Sequence, residues 1–274
     1  LFCCLMAGYS SILEIIHLGY LEMNHLLDVL LSTAASTVRG WRGTSGSKQV
    51  QPPKRALMLF DREDDAECRL VREALTELNL DVSIIPCPKK GSRFTADLVA
   101  LSGSKQVPFL YDPNVDYGMR GAKNVVEYLF NQYRGEAPPS ALLPSLSGVI
   151  RANLAWAVRL TGHLYAKPSI EPEEPLTLYG FESSPYTRLV RERLCQLELP
   201  YRLINLGKQQ WADMGPAKMR LKPGAYKPLP NTKRDAFLKQ YGKVQVPFLI
   251  DPNTDTEMFE SADIIAYLDK TYAK

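Results

Sequence analysis

A chain of 274 residues, 45% apolar and 23% charged with a net charge of +3, has room for about two globular domains. That charge is too small to point to nucleic acid. Its five cysteines form no C-x-x-C pair and its three histidines lie far apart, so a zinc ribbon, a dithiol redox motif and a metal centre find no ligand set. No Walker loop and no G-x-G-x-x-G is present. Irregularly spaced thiols fit a reducing, cytoplasmic compartment; the alternatives are the inner face of a membrane or an organelle of bacterial origin.

Residues 1–53 read as an extension. Glu14, His17, Glu22, Asn24, His25 and Asp28 interrupt its apolar run, which makes a poor spanning helix, and no basic residue before Arg39 opens a secretory signal. Met23 is the expected native start, with residues 1–22 an upstream stretch. From Met23 onward, leucines at helical spacing predict a helix over 23–38, either docked on the protein or lying on a membrane surface.

The rest of the chain is a repeat. "CRLVREALTELNLDVSIIP" (68–86) lies over "TRLVRERLCQLELPYRLIN" (187–205), and "QVPFLYDPN" (106–114) over "QVPFLIDPN" (245–253). The offset is 119 residues for the first pair and 139 for the second, so the second copy holds 20 extra residues within 206–244. Copy one spans 54–134, a linker with one helix 135–174, and copy two 175–274. In chain order each copy shows a short apolar strand (55–60; 175–181), a helix (65–79; 185–198), a β-branched strand (81–86; 201–205), and a polar helix (93–102; 231–241). A buried strand ending in a D-P-N turn, a short returning strand and a last helix (121–133; 261–272) complete it. The first crossover should be parallel and right-handed and the fourth strand antiparallel. The expected fold is α/β: two β-α-β-α-β-β-α domains in tandem, each a mixed four-stranded sheet with helices on both faces.

This order resembles the thioredoxin fold. More closely, the chain is similar to two copies of the N-terminal domain of glutathione S-transferases, and to a bacterial and plastid group of tandem domains of that kind. The residues that carry the resemblance are Ser184-Pro185-Tyr186 with Arg188, Val246-Pro247 and Glu260-Ser261, together with "ELELPY" and "DPNT…FESADIIAYL". That group often carries C-P-x-C at the first helix of copy one, where this chain reads Asp65-Ala66-Glu67-Cys68.

The resemblance implies glutathione as ligand or substrate and no metal. A cis bond before Pro247 would turn the Val246 amide and carbonyl toward the tripeptide as a strand edge. Glu260 would meet the γ-glutamyl ammonium, and Ser261, at a helix start, its carboxylate. Ser184, at the mouth of a helix opened by Pro185, would hold the thiolate; its bland alternative is a cap, and Ser183 and Tyr186 are rival hydroxyls. Copy one serves as a control. Aligning Arg120-Gly121 with Glu260-Ser261 puts a repelling cation there, Asp65 stands where Ser184 does, and Asp64 with Glu67 fit a capping pair, so copy one should keep the fold without the ligand. Cys68 and Cys87 are candidate reactive thiols and Cys195 a core residue. The basic loop 216–243 is either a solvated surface or a contact for anionic lipid or an acidic partner. A glutathione-dependent transferase, a non-catalytic binding or scaffold module and a glutaredoxin-like exchanger remain open. So does assembly with a protein partner or as a homodimer.

Overall fold

The computed structural model describes residues 23–47, 50–144, 150, 153–155, 159, 164–217 and 220–274. After helix α1 (23–38), copy one runs β1 (Leu57–Asp61), α2 (Ala66–Glu77), β2 (Val82–Pro86), α3 (Thr95–Ser102), β3 (Phe109–Asp112), β4 (Tyr117–Arg120) and α4 (Ala122–Arg134). Copy two runs β5 (Leu176–Gly180), α5 (Pro185–Gln196), β6 (Tyr201–Asn205), α6 (Lys233–Tyr241), β7 (Phe248–Asp251), β8 (Thr256–Phe259) and α7 (Ser261–Tyr272). The helix expected in the linker 135–174 falls largely outside the described residues. Among the described residues, no helix is long and apolar enough to cross a membrane.

In each copy the first two strands pair in parallel and the third and fourth follow antiparallel. The two sheets do not stay apart. β2 and β6 pair antiparallel, Val82 opposite Leu203 and Ile84 opposite Tyr201, so the strands form one eight-stranded sheet in the order β4-β3-β1-β2-β6-β5-β7-β8. Strand residues alternate between faces. Leu57, Leu59, Leu110, Leu176, Leu178 and Leu249 enter one core that runs through both copies beneath α2, α4, α5 and α7. The alternate residues enter two smaller clusters, Phe60, Leu98 and Phe109 under α3, and Leu206, Phe237, Val244 and Phe248 under α6.

The repeated R-L-V-R-E lies where the copies meet. Helical periodicity alone would turn these charges to solvent, yet all are buried. Arg72 donates to both oxygens of Asp61 at 2.6 and 2.7 Å and to Glu182 at 3.0 Å. Arg191 donates to Glu63 at 2.9 and 3.1 Å and lies 2.7 Å from Glu182. Glu63 and Glu182 are equivalent positions, so the arginine of each copy reaches the glutamate of the other. Outside this pair, Arg39 clasps Glu73 at 2.9 and 2.5 Å and Arg159 clasps the equivalent Glu192 at 2.8 and 2.7 Å. Arg39 and Arg159 are themselves 120 residues apart, as are Val29 and Val149, and Ala35 and Ala155. The repeat thus starts further upstream than R-L-V-R-E.

α1 is docked on copy two. Ser32, Ala35 and Ser36 are fully buried, while Met23, Leu26, Leu27 and Leu30 are exposed. The chain after α1 then threads between the copies: Gly46 N–H donates to the Lys208 carbonyl at 2.9 Å and Lys208 N–H to the Thr44 carbonyl at 2.8 Å. Three cations of the basic loop are engaged by the protein itself, while Lys222, Lys227, Lys239 and Lys243 are exposed. Lys233 bridges to Asp81 of copy one at 2.5 Å, Arg234 is buried on the Leu206 carbonyl, and the Arg220 guanidinium stacks 3.6 Å from the Tyr226 ring centre.

Candidate functional site

Ser184 is the N-cap of α5, with Pro185 in the first turn. Its Oγ accepts from Thr187 N–H at 3.3 Å and from Thr187 Oγ1 at 2.9 Å. A hydroxyl has two lone pairs and one proton. The two lone pairs are engaged, and among the described residues the proton has no acceptor. The rival hydroxyls are less suited. Ser183 Oγ bonds Thr44 Oγ1, and Tyr186 is 43% exposed.

Arg188 lies one turn further on. It is fully buried and donates only to neutral oxygens: the Ser32 carbonyl at 2.7 Å, Ser32 Oγ at 3.0 Å, Ser36 Oγ at 2.9 Å and the Glu182 carbonyl at 3.4 Å. Burial and then the neighbouring Arg69 push its pKa down to about 9. Its copy-one equivalent, Arg69, has Glu73 at 3.3 Å, whereas Glu192 is taken by Arg159. Among the described residues Arg188 makes no salt bridge, although it lies in the field of Glu182, and it stands near the positive end of α5.

The Val246–Pro247 bond is cis, as is Val107–Pro108. Among the described residues the Val246 backbone N–H and C=O make no hydrogen bond. Fourteen residues on, Glu260 takes the left-handed φ of +67° and accepts from Gln245 Nε2 at 2.7 Å. Ser261 opens α7, is 3% exposed, and its Oγ lies 3.1 Å from His25 Nε2 of α1. The side chain of Glu260, the N-cap residue of α7, makes no cap bond to its first turn.

Copy one keeps the cis bond but differs at both helix starts. Asp65, not Asp64, is the N-cap of α2, accepting from the Glu67 and Cys68 amides at 3.0 Å. Glu67 reaches across instead, and its Oε2 accepts from the Ala122 amide at 3.0 Å, the first of α4. The strand register also corrects the expected alignment. Phe109 pairs with Arg120 as Phe248 pairs with Phe259. Gly121 therefore stands for Glu260 and Ala122 for Ser261, and Arg120 corresponds to Phe259. Copy one lacks the acid and the hydroxyl, but no arginine takes the acid's place.

The thiols are not poised for chemistry. Cys68 and Cys195 are buried, and desolvation raises both well above the ordinary thiol value. Burial, then Asp61, pushes Cys87 up to about 12 despite its lysine neighbours in sequence. Burial of Cys68 and the raised pKa of both argue against Cys68 or Cys87 as a reactive thiol, the disfavoured candidates of the sequence.

The model of the glutathione S-transferase N-terminal domain matches residues 59–137 and again residues 178–274. The chain belongs to this family. The two matches cover both copies and well over half of the chain, so the tandem arrangement is a duplication of a transferase-type N-terminal domain. No curated protein and no solved structure matches it. Sequence reasoning singled out Ser184, Val246, Pro247, Glu260 and Ser261. It missed Ser32 and Ser36 of α1 as partners of the α5 start, His25 as the neighbour of Ser261, and Thr187 as the group that orients Ser184. The serine spacing of α1, four residues apart on one face, was the available signal.

Proposed function

We propose that copy two is a glutathione-binding site and that the chain carries glutathione-dependent, transferase-like chemistry there. The tripeptide lies along the Val246 edge, its γ-glutamyl ammonium toward Glu260 and its carboxylate on Ser261 and the first amides of α7. The thiol sits at the start of α5, where Ser184 donates its remaining proton to the thiolate. The helix end and the buried Arg188 favour the anion. An unperturbed thiol with a pKa of about 8.5 is mostly neutral at pH 7, so such stabilisation is what an activated glutathione needs.

One observation carries this reading. In copy one, the first amide of the last helix is filled by a carboxylate from the same domain, Glu67. In copy two the equivalent of Glu67 is Tyr186, which has no carboxylate to offer, and the N-cap residue Glu260 makes no side-chain cap bond. The scaffold accepts a carboxylate at this position, and copy two leaves it to a ligand.

Glutathione titration calorimetry, with turnover of a generic electrophile, tests it. Wild type should bind; Ser261→Ala should weaken binding about tenfold; Ser184→Ala should keep binding and lose turnover. Absence of binding to wild type and to all variants would refute it. A second reading, a binding or scaffold module without turnover, is favoured by the burial of Ser184 and Ser261, each 3% exposed. Binding without turnover in wild type would select it. An exchanger is disfavoured, because Ser184 and Thr187 occupy the cysteine positions of copy two and Cys68 is buried.

A further inference from the structure

The two halves of α1 are held in different ways. Its C-terminal half is locked: Ser32 Oγ donates to the Pro185 carbonyl at 2.9 Å, Ser36 Oγ to the Ser183 carbonyl at 2.8 Å, and Arg39 clasps Glu73. Its N-terminal half is held along one edge. Met23, Leu26, Leu27 and Leu30 are each more than half exposed, at 65%, 59%, 55% and 58%. The inward contacts there are Val29, which is buried, Asp28 on Arg159, and His25 on Ser261.

We propose that the first two turns of α1 form a lid over the γ-glutamyl end of the copy-two site, and that glutathione and His25 compete for Ser261. The inference rests on the glutathione reading given above. Ser261 is 3% exposed beneath this lid, and the imidazole 3.1 Å from its Oγ stands where a carboxylate would approach the hydroxyl. With Nε2 as the acceptor, the imidazole takes the one proton that Ser261 would donate to a carboxylate, so the two compete for it. Helix ends open at small cost when few apolar contacts hold them, and these two turns present their leucines to solvent. Copy one needs no such lid, because Glu67 already fills the equivalent position.

Competition has a sign. The apparent Kd equals the intrinsic Kd divided by the open fraction, so loosening the lid must tighten binding. His25→Ala removes the contact with Ser261, and Val29→Ser weakens the apolar hold beside it. In the full chain each should bind glutathione about three- to tenfold more tightly than wild type. In wild type, saturating glutathione should accelerate amide hydrogen exchange of residues 24–31 several-fold. Equal or weaker binding by both variants, or slower exchange of 24–31 on adding glutathione, would overturn the lid, since the helix would then clamp the ligand. A ligand-free measurement separates this from failure of the glutathione reading itself. Ser261→Cys should react with a maleimide at least threefold faster when Val29→Ser is added. If no form binds glutathione, the site assignment falls, and the lid then stands or falls on that rate: acceleration supports it, an unchanged rate ends it.

Discussion

Replacing Glu182 by glutamine should cost the protein about 3 kcal/mol and leave both copies weakened together. Burial opposes the charge on Glu182, but Arg191, Arg72, Arg69 and Arg188 surround it and hold its carboxyl down to about 2, against 4.5 for the free side chain. At about 1.4 kcal/mol per pH unit of displacement, that is about 3 kcal/mol of preference for the ionised, folded form. The figure agrees with the roughly 3–5 kcal/mol that follows when one member of a buried ion pair is removed. In E182Q the nearest donors, Arg191 at 2.7 Å and Arg72 at 3.0 Å, keep Glu63 and Asp61 but lose the carboxylate that joins them. Urea unfolding followed by circular dichroism at pH 7 gives the free-energy difference. The sign with pH follows from linkage: a carboxyl depressed on folding stabilises fully above its unfolded value and loses that contribution as it is protonated. The gap between wild type and E182Q should therefore be full above pH 4.5 and close as pH falls toward 2. A gap below 1 kcal/mol at pH 7, or one that widens in acid, would show that the crossed pairs do not hold the copies together.

Other consequences are open to simpler measurements. Asp251 accepts from Tyr267 at 2.6 Å, from Tyr272 at 2.5 Å and from the Asn253 amide at 2.9 Å. Although burial opposes its charge, those donors hold its pKa below the ordinary 3.8. Asp251→Asn should cost about 2 kcal/mol in urea unfolding, with the difference shrinking as pH falls below about 4. A Cβ on Gly180 would meet Thr187 Cγ2 at 2.3 Å, so Gly180→Ala should displace Thr187, lower stability by about 1–3 kcal/mol and impair Ser184-dependent turnover; unchanged stability would contradict the packing. Native protein at pH 8 should leave Cys68, Cys87 and Cys195 unalkylated by iodoacetamide over an hour, with mass spectrometry as the readout.

Most of the scaffold was legible because both copies say the same thing twice. Strand and helix signals that would be ambiguous singly, such as "DVSIIP", gain weight from a partner at a fixed offset, and the observed elements end within a few residues of the expected ones. What was hidden depends on contacts between distant parts of the chain. Arg72 and Arg191 look like solvated helix residues until the other copy supplies Glu182 and Glu63, 110 and 128 residues away. Glu67 sits in a first helical turn, where an acid is unremarkable, and only the fold carries it to the start of α4. The misplacement of Arg120 is a different case. Counting from the D-P-N turns gives Arg120 opposite Phe259 without any structure, whereas matching by residue character placed it one position too far along. The candidate site was read from motif spacing, but its cover was not, because nothing in residues 23–38 announces which surface the serines meet.

Fusing the two sheets also limits where a peptide-like ligand can add. A four-stranded sheet of this order has edges at its second and fourth strands, and β2 and β6 use theirs on each other. The outer edges, β4 and β8, lie at opposite ends of the eight strands, far from the helix starts that carry Ser184 and Asp65. The backbone that leads into β3 or β7 at the cis proline is then the edge nearest those helix starts. Of the two, copy one surrounds its helix start with Asp64, Asp65 and Glu67, which disfavour an anion there, and fills the carboxylate position from within. Copy two places the neutral hydroxyls of Ser183 and Ser184 at the same point, with the buried Arg188 one turn on. The peptide edge at the cis proline is unengaged among the described residues in both copies, at Val107 as at Val246, so what sets copy two apart is the Ser184 proton without an acceptor and the neutral residues at its helix start. On the proposed reading, that proton and the edge at Val246 are the groups that would meet an extended thiol peptide.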